Sequence, residues 1–131
     1  MTEVILKEVN KSFGNSTVIN DVSIKIKEGD FCVIVGPSGC GKSTLLRIIA
    51  GLETPTSGSI IINSKDVTTV DPANRGIGMV FQNYALYPHM TVEDNMSFGL
   101  RMNNAPKTMI KKKVGEAAKI LQLTELIKRK P

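Results

Sequence analysis

The sequence predicts an α/β fold, and two observations predict it. Phe31-Cys32-Val33-Ile34-Val35 is a short apolar, β-branched run suited to a buried strand. A glycine-rich turn, Gly36-Pro37-Ser38-Gly39-Cys40-Gly41-Lys42-Ser43-Thr44, follows it directly, and Leu45-Leu46-Arg47-Ile48-Ile49-Ala50-Gly51-Leu52 then carries apolar residues at helical spacing. The second observation is a change of character along the chain. Sheet-forming patterns dominate up to Gln82, and helical patterns take over from Thr91.

Strand, G-x-x-x-x-G-K-[ST] loop and helix, in that order, are the context in which a phosphate loop works. Gly36, Gly39 and Gly41 permit backbone angles that a Cβ would penalise. Successive N–H groups can then turn inward as an anion-binding nest at the positive end of the following helix. Lys42 is expected to reach the β- and γ-phosphates, and the Ser43 hydroxyl to take a place on Mg²⁺.

The other elements read in order. Val4-Ile5-Leu6-Lys7-Glu8-Val9 is a first strand, and Lys11-Ser12-Phe13-Gly14-Asn15-Ser16 a turn. The run from Val18 to Lys27 ends in strict alternation, with Val22, Ile24 and Ile26 on one face and Ser23, Lys25 and Lys27 on the other. That is the pattern of an antiparallel strand with one wet face. Ser59-Ile60-Ile61-Ile62 is a further strand, closed by a turn near Asn63-Ser64-Lys65-Asp66. Asp71-Pro72-Ala73-Asn74-Arg75 is a loop, and Gly76-Ile77-Gly78-Met79-Val80-Phe81 a second nearly continuous apolar strand ending at Gln82. Thr91-Val92-Glu93-Asp94 reads as an N-cap with acidic residues in the first turn. The helix it opens runs to about Met102, Asn103-Asn104-Ala105-Pro106 breaks it, and a second helix carries Ile110, Val114, Ala117 and Leu121 on one face.

With 131 residues, 41% of them apolar and 22% charged, the chain has the composition of at most one globular domain. No apolar run approaches the roughly 20 residues that span a bilayer, and Met1-Thr2-Glu3-Val4 does not read as a signal peptide. Cys32 and Cys40 suggest no disulfide framework, which fits a reduced, cytosolic setting. The net charge of +5 comes largely from Lys111-Lys112-Lys113 and Lys128-Arg129-Lys130. No aromatic residues are interleaved with these clusters, so they read as solvated surface and no nucleic-acid partner is expected.

The loop 36–44, the strand ending at Gln82 and the run Tyr84-Ala85-Leu86-Tyr87-Pro88-His89-Met90-Thr91-Val92 together resemble the ATPase subunit of ABC transporters, over essentially the whole chain. The subgroup it is most similar to energises bacterial importers of sugars and sugar phosphates. The resemblance implies a P-loop NTPase fold: a parallel sheet core, an antiparallel β subdomain and the start of a helical subdomain. Residues 1–90 would be the N-terminal part of the ATP-binding core and 91–131 the start of the helical subdomain. ATP and Mg²⁺ are the implied cofactors, bound by Gly36, Pro37, Ser38, Gly39, Cys40, Gly41, Lys42, Ser43 and Thr44.

In the same resemblance Phe13 stands where an aromatic ring stacks on adenine, and Val18 lines that pocket. Gln82 stands at the Q-loop glutamine, which faces Mg²⁺ and the attacking water, so Lys42 and Gln82 are the implied catalytic residues and Ser43 and Gln82 the metal-facing ones. Residues 84–91 would accept a helix of a membrane permease, with His89 at the interface or surface. A second ATPase subunit packed head to tail, an extracytoplasmic solute-binding protein acting indirectly, and a peripheral position on the cytoplasmic face of the membrane complete the implied setting.

Lys130-Pro131 resembles the sequence just before the family's Leu-Ser-Gly-Gly-Gln signature. The signature, the Walker B aspartate, the catalytic glutamate and the switch histidine do not occur among these residues. The expectation is therefore an N-terminal part of a longer subunit, inactive and poorly folded or associating when alone. Two other readings stay open: a nucleotide-responsive regulatory module without hydrolysis, and an ABC ATPase of another transport class. A kinase or GTPase fits less well, because Asn10-Lys11 is followed by Ser12-Phe13 and Asn63-Ser64-Lys65-Asp66 lacks the guanine-reading spacing.

Overall fold

Two long strands, β1 (Val4–Phe13) and β2 (Ser16–Ile26), form an antiparallel hairpin turning at Gly14, whose φ of 56° suits glycine. The predicted turn at 11–16 is thus narrower than expected, because the strand continues through Phe13 and pairs it with Ser16. Helix α1 (Lys42–Ala50) follows, then β3 (Ser57–Ile62) and the two-residue β4 (Lys65–Asp66). All pairings in this sheet are antiparallel, in the order β2-β1-β3-β4. Leu6 sits opposite Ile24 on one side and Ile60 on the other, so the alternating positions of three strands share a face. The computed structural model describes residues 2–131, in two compact units, Met1–Met79 and Val80–Pro131.

The first unit's core is that shared face covered by the loop helix. Leu6, Val9, Ile19, Ile60 and Ile62 pack with Leu45 and Ile48 of α1 and with Val67. Full burial of each such aliphatic contributes about 1.5–3 kcal/mol, which is what holds α1 to the sheet. β1 is bulged on both sides, around Val9 where it faces β2 and between Lys7 and Asn10 where it faces β3, with Glu8 at a φ of 48°. Side chains satisfy the ladder groups the bulge frees: the Glu8 N–H donates to Ser23 Oγ at 2.9 Å and the Asp21 N–H to Asn10 Oδ1 at 2.8 Å. Gly58 belongs to the same device, since a Cβ there would collide with the Glu8 carbonyl oxygen.

The stretches 31–35 and 76–81 differ from expectation: neither makes strand pairings among the described residues. Each sends one isoleucine, Ile34 or Ile77, against the core. Phe31, Val33 and Val35 remain 93%, 62% and 83% exposed, and Val80 84%. The physical reason is that an apolar extended run becomes a strand only when a neighbour supplies ladder hydrogen bonds. No described residue does so here.

In the second unit α2 (Val92–Met102) starts as predicted at Thr91. Thr91 Oγ1 accepts from the Asp94 N–H at 3.1 Å, and the Asp94 carboxylate accepts from the Thr91 N–H, a complete capping box. The next two orphan donors are met by the chain's last segment: the Val92 N–H donates to the Arg129 carbonyl at 2.8 Å and the Glu93 N–H to that of Ile127 at 2.9 Å. α3 (Lys107–Ile120) packs against α2, and its buried residues are Val114 and Ala118. Leu121, expected on the buried face, is the C-cap and is 62% exposed, because the helix ends one residue before it.

Candidate functional site

The loop 36–41 wraps the start of α1, and its geometry follows from its glycines. Gly39 and Gly41 adopt φ values of 81° and 92°. Gly41 also lies so close to β2 that a Cβ would meet the Val18 carbonyl oxygen at 2.8 Å and Val18 Cγ1 at 3.1 Å. At Gly36 a Cβ would meet Cys40 Sγ at 2.7 Å. Small residues are therefore required by closeness as well as by angle.

Gly41 is the N-cap of α1 and has no side chain to offer, and no acidic residue stands in the first turn. The opening amides of the helix are left for an external acceptor, at the positive end of its dipole. Lys42 Nζ folds back over the same loop, donating to the carbonyls of Gly36 at 2.8 Å and Pro37 at 2.6 Å, with Cys40 Sγ at 3.6 Å. Ser43 is exposed on the first turn and Thr44 half-buried beside it. A flexible ammonium resting on neutral carbonyls, beside uncapped amides, fits a polyphosphate: the anion would offer the lysine a charged partner in their place. These residues fit the nucleotide that the sequence implies.

Phe13 and Val18, the residues expected beside adenine, lie on the hairpin. Val18 is brought against the loop at Gly41, as above. Phe13 is half exposed, 49%, with Lys11 Nζ 4.7 Å from its ring centroid. Lys11 also binds Glu53 at 2.6 Å and the Thr54 carbonyl at 2.7 Å, so the cation under the ring is fixed by the loop after α1. That hydrogen bond holds the Glu53 carboxyl below its usual range.

Gln82 stands exposed in a turn of the second unit, at the head of the 84–91 segment. Tyr84 and Ala85 have φ values of 58° and 46°, a strained pair. Behind them lies an apolar cleft of about 440 Å³ walled by Tyr84, Leu86, Tyr87, Met96, Phe98 and Leu123. Tyr87 packs on Phe98 with ring centroids 4.8 Å apart and meets His89 edge-on at 6.0 Å. His89 is exposed, and among the described residues no three His, Cys, Asp or Glu side chains cluster to hold a metal.

Two residues escaped the sequence reading. Arg75, treated there as loop, is 6% exposed and donates to the carbonyls of Ile48, Ile49, Thr68 and Val70 at 2.8–3.1 Å. It therefore caps the C-terminal end of α1, and its burial lowers the guanidinium pKa. Asn95 binds three residues of the 87–91 segment. Arg75 has no local sequence signal for this role, because folding alone brings it to Ile48 and Ile49; Asn95 acts on residues four to eight positions before it, in a segment whose irregular backbone follows no periodic pattern.

Comparison with known proteins agrees with this geometry. The family model described as "ABC transporter" matches residues 19–131. The chain is 55% identical over its whole length to the maltose/maltodextrin import ATP-binding protein MalK of Vibrio cholerae, and 54% identical to the protein of that name from Escherichia coli. It is also 54% identical to the sn-glycerol-3-phosphate import ATP-binding protein UgpC of Brucella abortus. It spans 35%, 35% and 38% of those proteins, little more than a third of their length. Among solved structures, a dimeric ATP-binding cassette in a post-hydrolysis state bound to ADP and Pi matches 98% of the chain and 61% of its own, at 32% identity and a TM-score of 0.85. The fold is that of the α/β P-loop ATPases, and the chain belongs to the ABC transporter family.

Proposed function

We propose that the loop 36–44 binds MgATP and that the protein carrying this chain couples ATP hydrolysis to import of a solute of the sugar or sugar-phosphate class. The observation that carries the reading is the uncapped start of α1 with Lys42 poised over it, Nζ 2.8 Å from the Gly36 carbonyl. The import proteins it resembles at 54–55% identity supply the solute class, and the ADP- and Pi-bound cassette supports the nucleotide.

In this reading the amides of 36–44 and Lys42 would neutralise the phosphates, Ser43 and Gln82 would hold Mg²⁺, and the ion would supply charge that stabilises the γ-phosphoryl group in its transfer to water, with ADP leaving. Gln82 orients the attacking water, Phe13 stacks on adenine, and Val18 closes its edge. A second ATPase subunit completes the site. Residues 84–91 and the cleft behind them receive a permease helix, the solute-binding protein acting through that permease. The protein sits peripherally on the cytoplasmic face. No helix among the described residues is long and apolar enough to cross a membrane.

Isothermal calorimetry with MgATP on the protein at its full genomic length tests this. Lys42→Ala abolishes the heat of binding, whereas Lys112→Ala, on the outer face of α3, leaves it as in the parent. Equal loss from both would mean unspecific attraction to a basic surface and would overturn the reading.

A further inference from the structure

Resting on the reading of 84–91 as a docking segment, we infer that Asn95 is the positioning residue that holds this segment in shape for its partner. One amide side chain meets three residues of it. Asn95 Oδ1 accepts from the Tyr87 N–H at 2.8 Å. Its Nδ2 donates to the carbonyls of Tyr87 at 3.1 Å and Thr91 at 2.9 Å, with Met90 at 3.4 Å. The segment has no secondary structure of its own and contains a proline, so its backbone groups depend on such contacts.

Asn95 is well anchored for this task. It lies in the first turn of α2, where its own N–H donates to the Thr91 carbonyl at 2.9 Å. That turn is fixed by the Thr91–Asp94 capping box on one side and by Arg129 and Ile127 on the other. The rigid helix start thus reaches out with a donor and an acceptor to Tyr87, which in turn carries the cleft wall through its packing on Phe98. Asn95 touches no reacting group and acts only through Tyr87, Met90 and Thr91.

Asn95→Asp keeps the shape and replaces the donating amide by an oxygen facing three carbonyls. Two readouts on the protein at full genomic length test the inference. Native-state hydrogen exchange at the Tyr87 amide should speed up about tenfold, equivalent to about 1.4 kcal/mol. With the permease present, the ratio of permease-stimulated to unstimulated ATP turnover should fall about tenfold, whereas a merely structural defect would lower both rates and leave the ratio in place. Asn95→Ser removes the acceptor of the Tyr87 N–H altogether, so exchange there should speed up at least as much, and this variant covers the case in which the aspartate variant folds badly. Native exchange at Tyr87 in both variants overturns the inference. So does a lost ratio in Tyr87→Ala beside an intact one in Asn95→Asp. An intact ratio in Tyr87→Ala would instead sink the docking reading, and the exchange rates then decide on Asn95 by themselves.

Discussion

The carbonyl oxygen of Val18 occupies the place a side chain on Gly41 would need, 2.8 Å from the Cβ position. Through this contact the hairpin presses on the loop at the point where α1 begins. Sequence spacing relates neither residue to the other.

That closeness separates two glycines of similar angle. Gly39 has a φ of 81° and open space around it, so Gly39→Ala should cost about 1 kcal/mol of backbone strain. Gly41→Ala meets strain and a backbone carbonyl together, and should cost about 3 kcal/mol. Urea unfolding of the two variants against the parent checks the difference, and equal costs would mean that the loop can retreat from β2.

Arg75 is a buried charge in the first unit, and replacing it should be costly. Arg75→Ala orphans four carbonyls, and hydrogen bonds to a charged group contribute about 1.5–3 kcal/mol each before relaxation. A net loss of about 3 kcal/mol is expected, read as a lowered denaturation midpoint. Arg75→Lys should recover only part of it, because an ammonium lacks the planar fork that reaches carbonyls on two sides.

Asp94 gives the second unit a dependence on acid. Its carboxyl is held at about 2, against an ordinary 3.8, first by the Thr91 hydroxyl and then by Arg101. The folded state therefore binds this proton more weakly than the unfolded chain does. Its contribution is complete above pH 3.8 and is lost as pH falls toward 2. The difference in Tm between the parent and Asp94→Asn should be constant from neutral pH down to that point and shrink below it. At neutral pH Thr91→Ala, which removes the other half of the cap, should cost about 1 kcal/mol.

Phe31, Val33 and Val35 present an apolar, unpaired edge, which is a template for association. The 131-residue chain should sediment as oligomers at micromolar concentration, and Val33→Lys with Val35→Lys should shift it toward the monomer. Monomeric, cooperative unfolding of the unsubstituted chain would contradict this.

Much of the molecule was legible in its residues. The hairpin alternation, the Thr91 cap, the break at 103–106 and the loop at 36–44 all rest on local rules, where a residue's own angles, branching or neighbours at fixed spacing decide its conformation. The same rules failed at 31–35 and 76–81, since apolar content says a stretch prefers burial and cannot provide the partner that buries it. Arg75 beneath α1 and Gly41 against Val18 were decided by tertiary structure alone, and Asn95 by the irregular path of the 87–91 segment just before it. Each satisfies backbone groups, or avoids atoms, belonging to residues distant in the chain or set by a fold that had first to form. The sequence by itself determined the glycine-rich loop and the helix it opens; the three-dimensional packing determined what holds that loop, and the segment beside Gln82, in place.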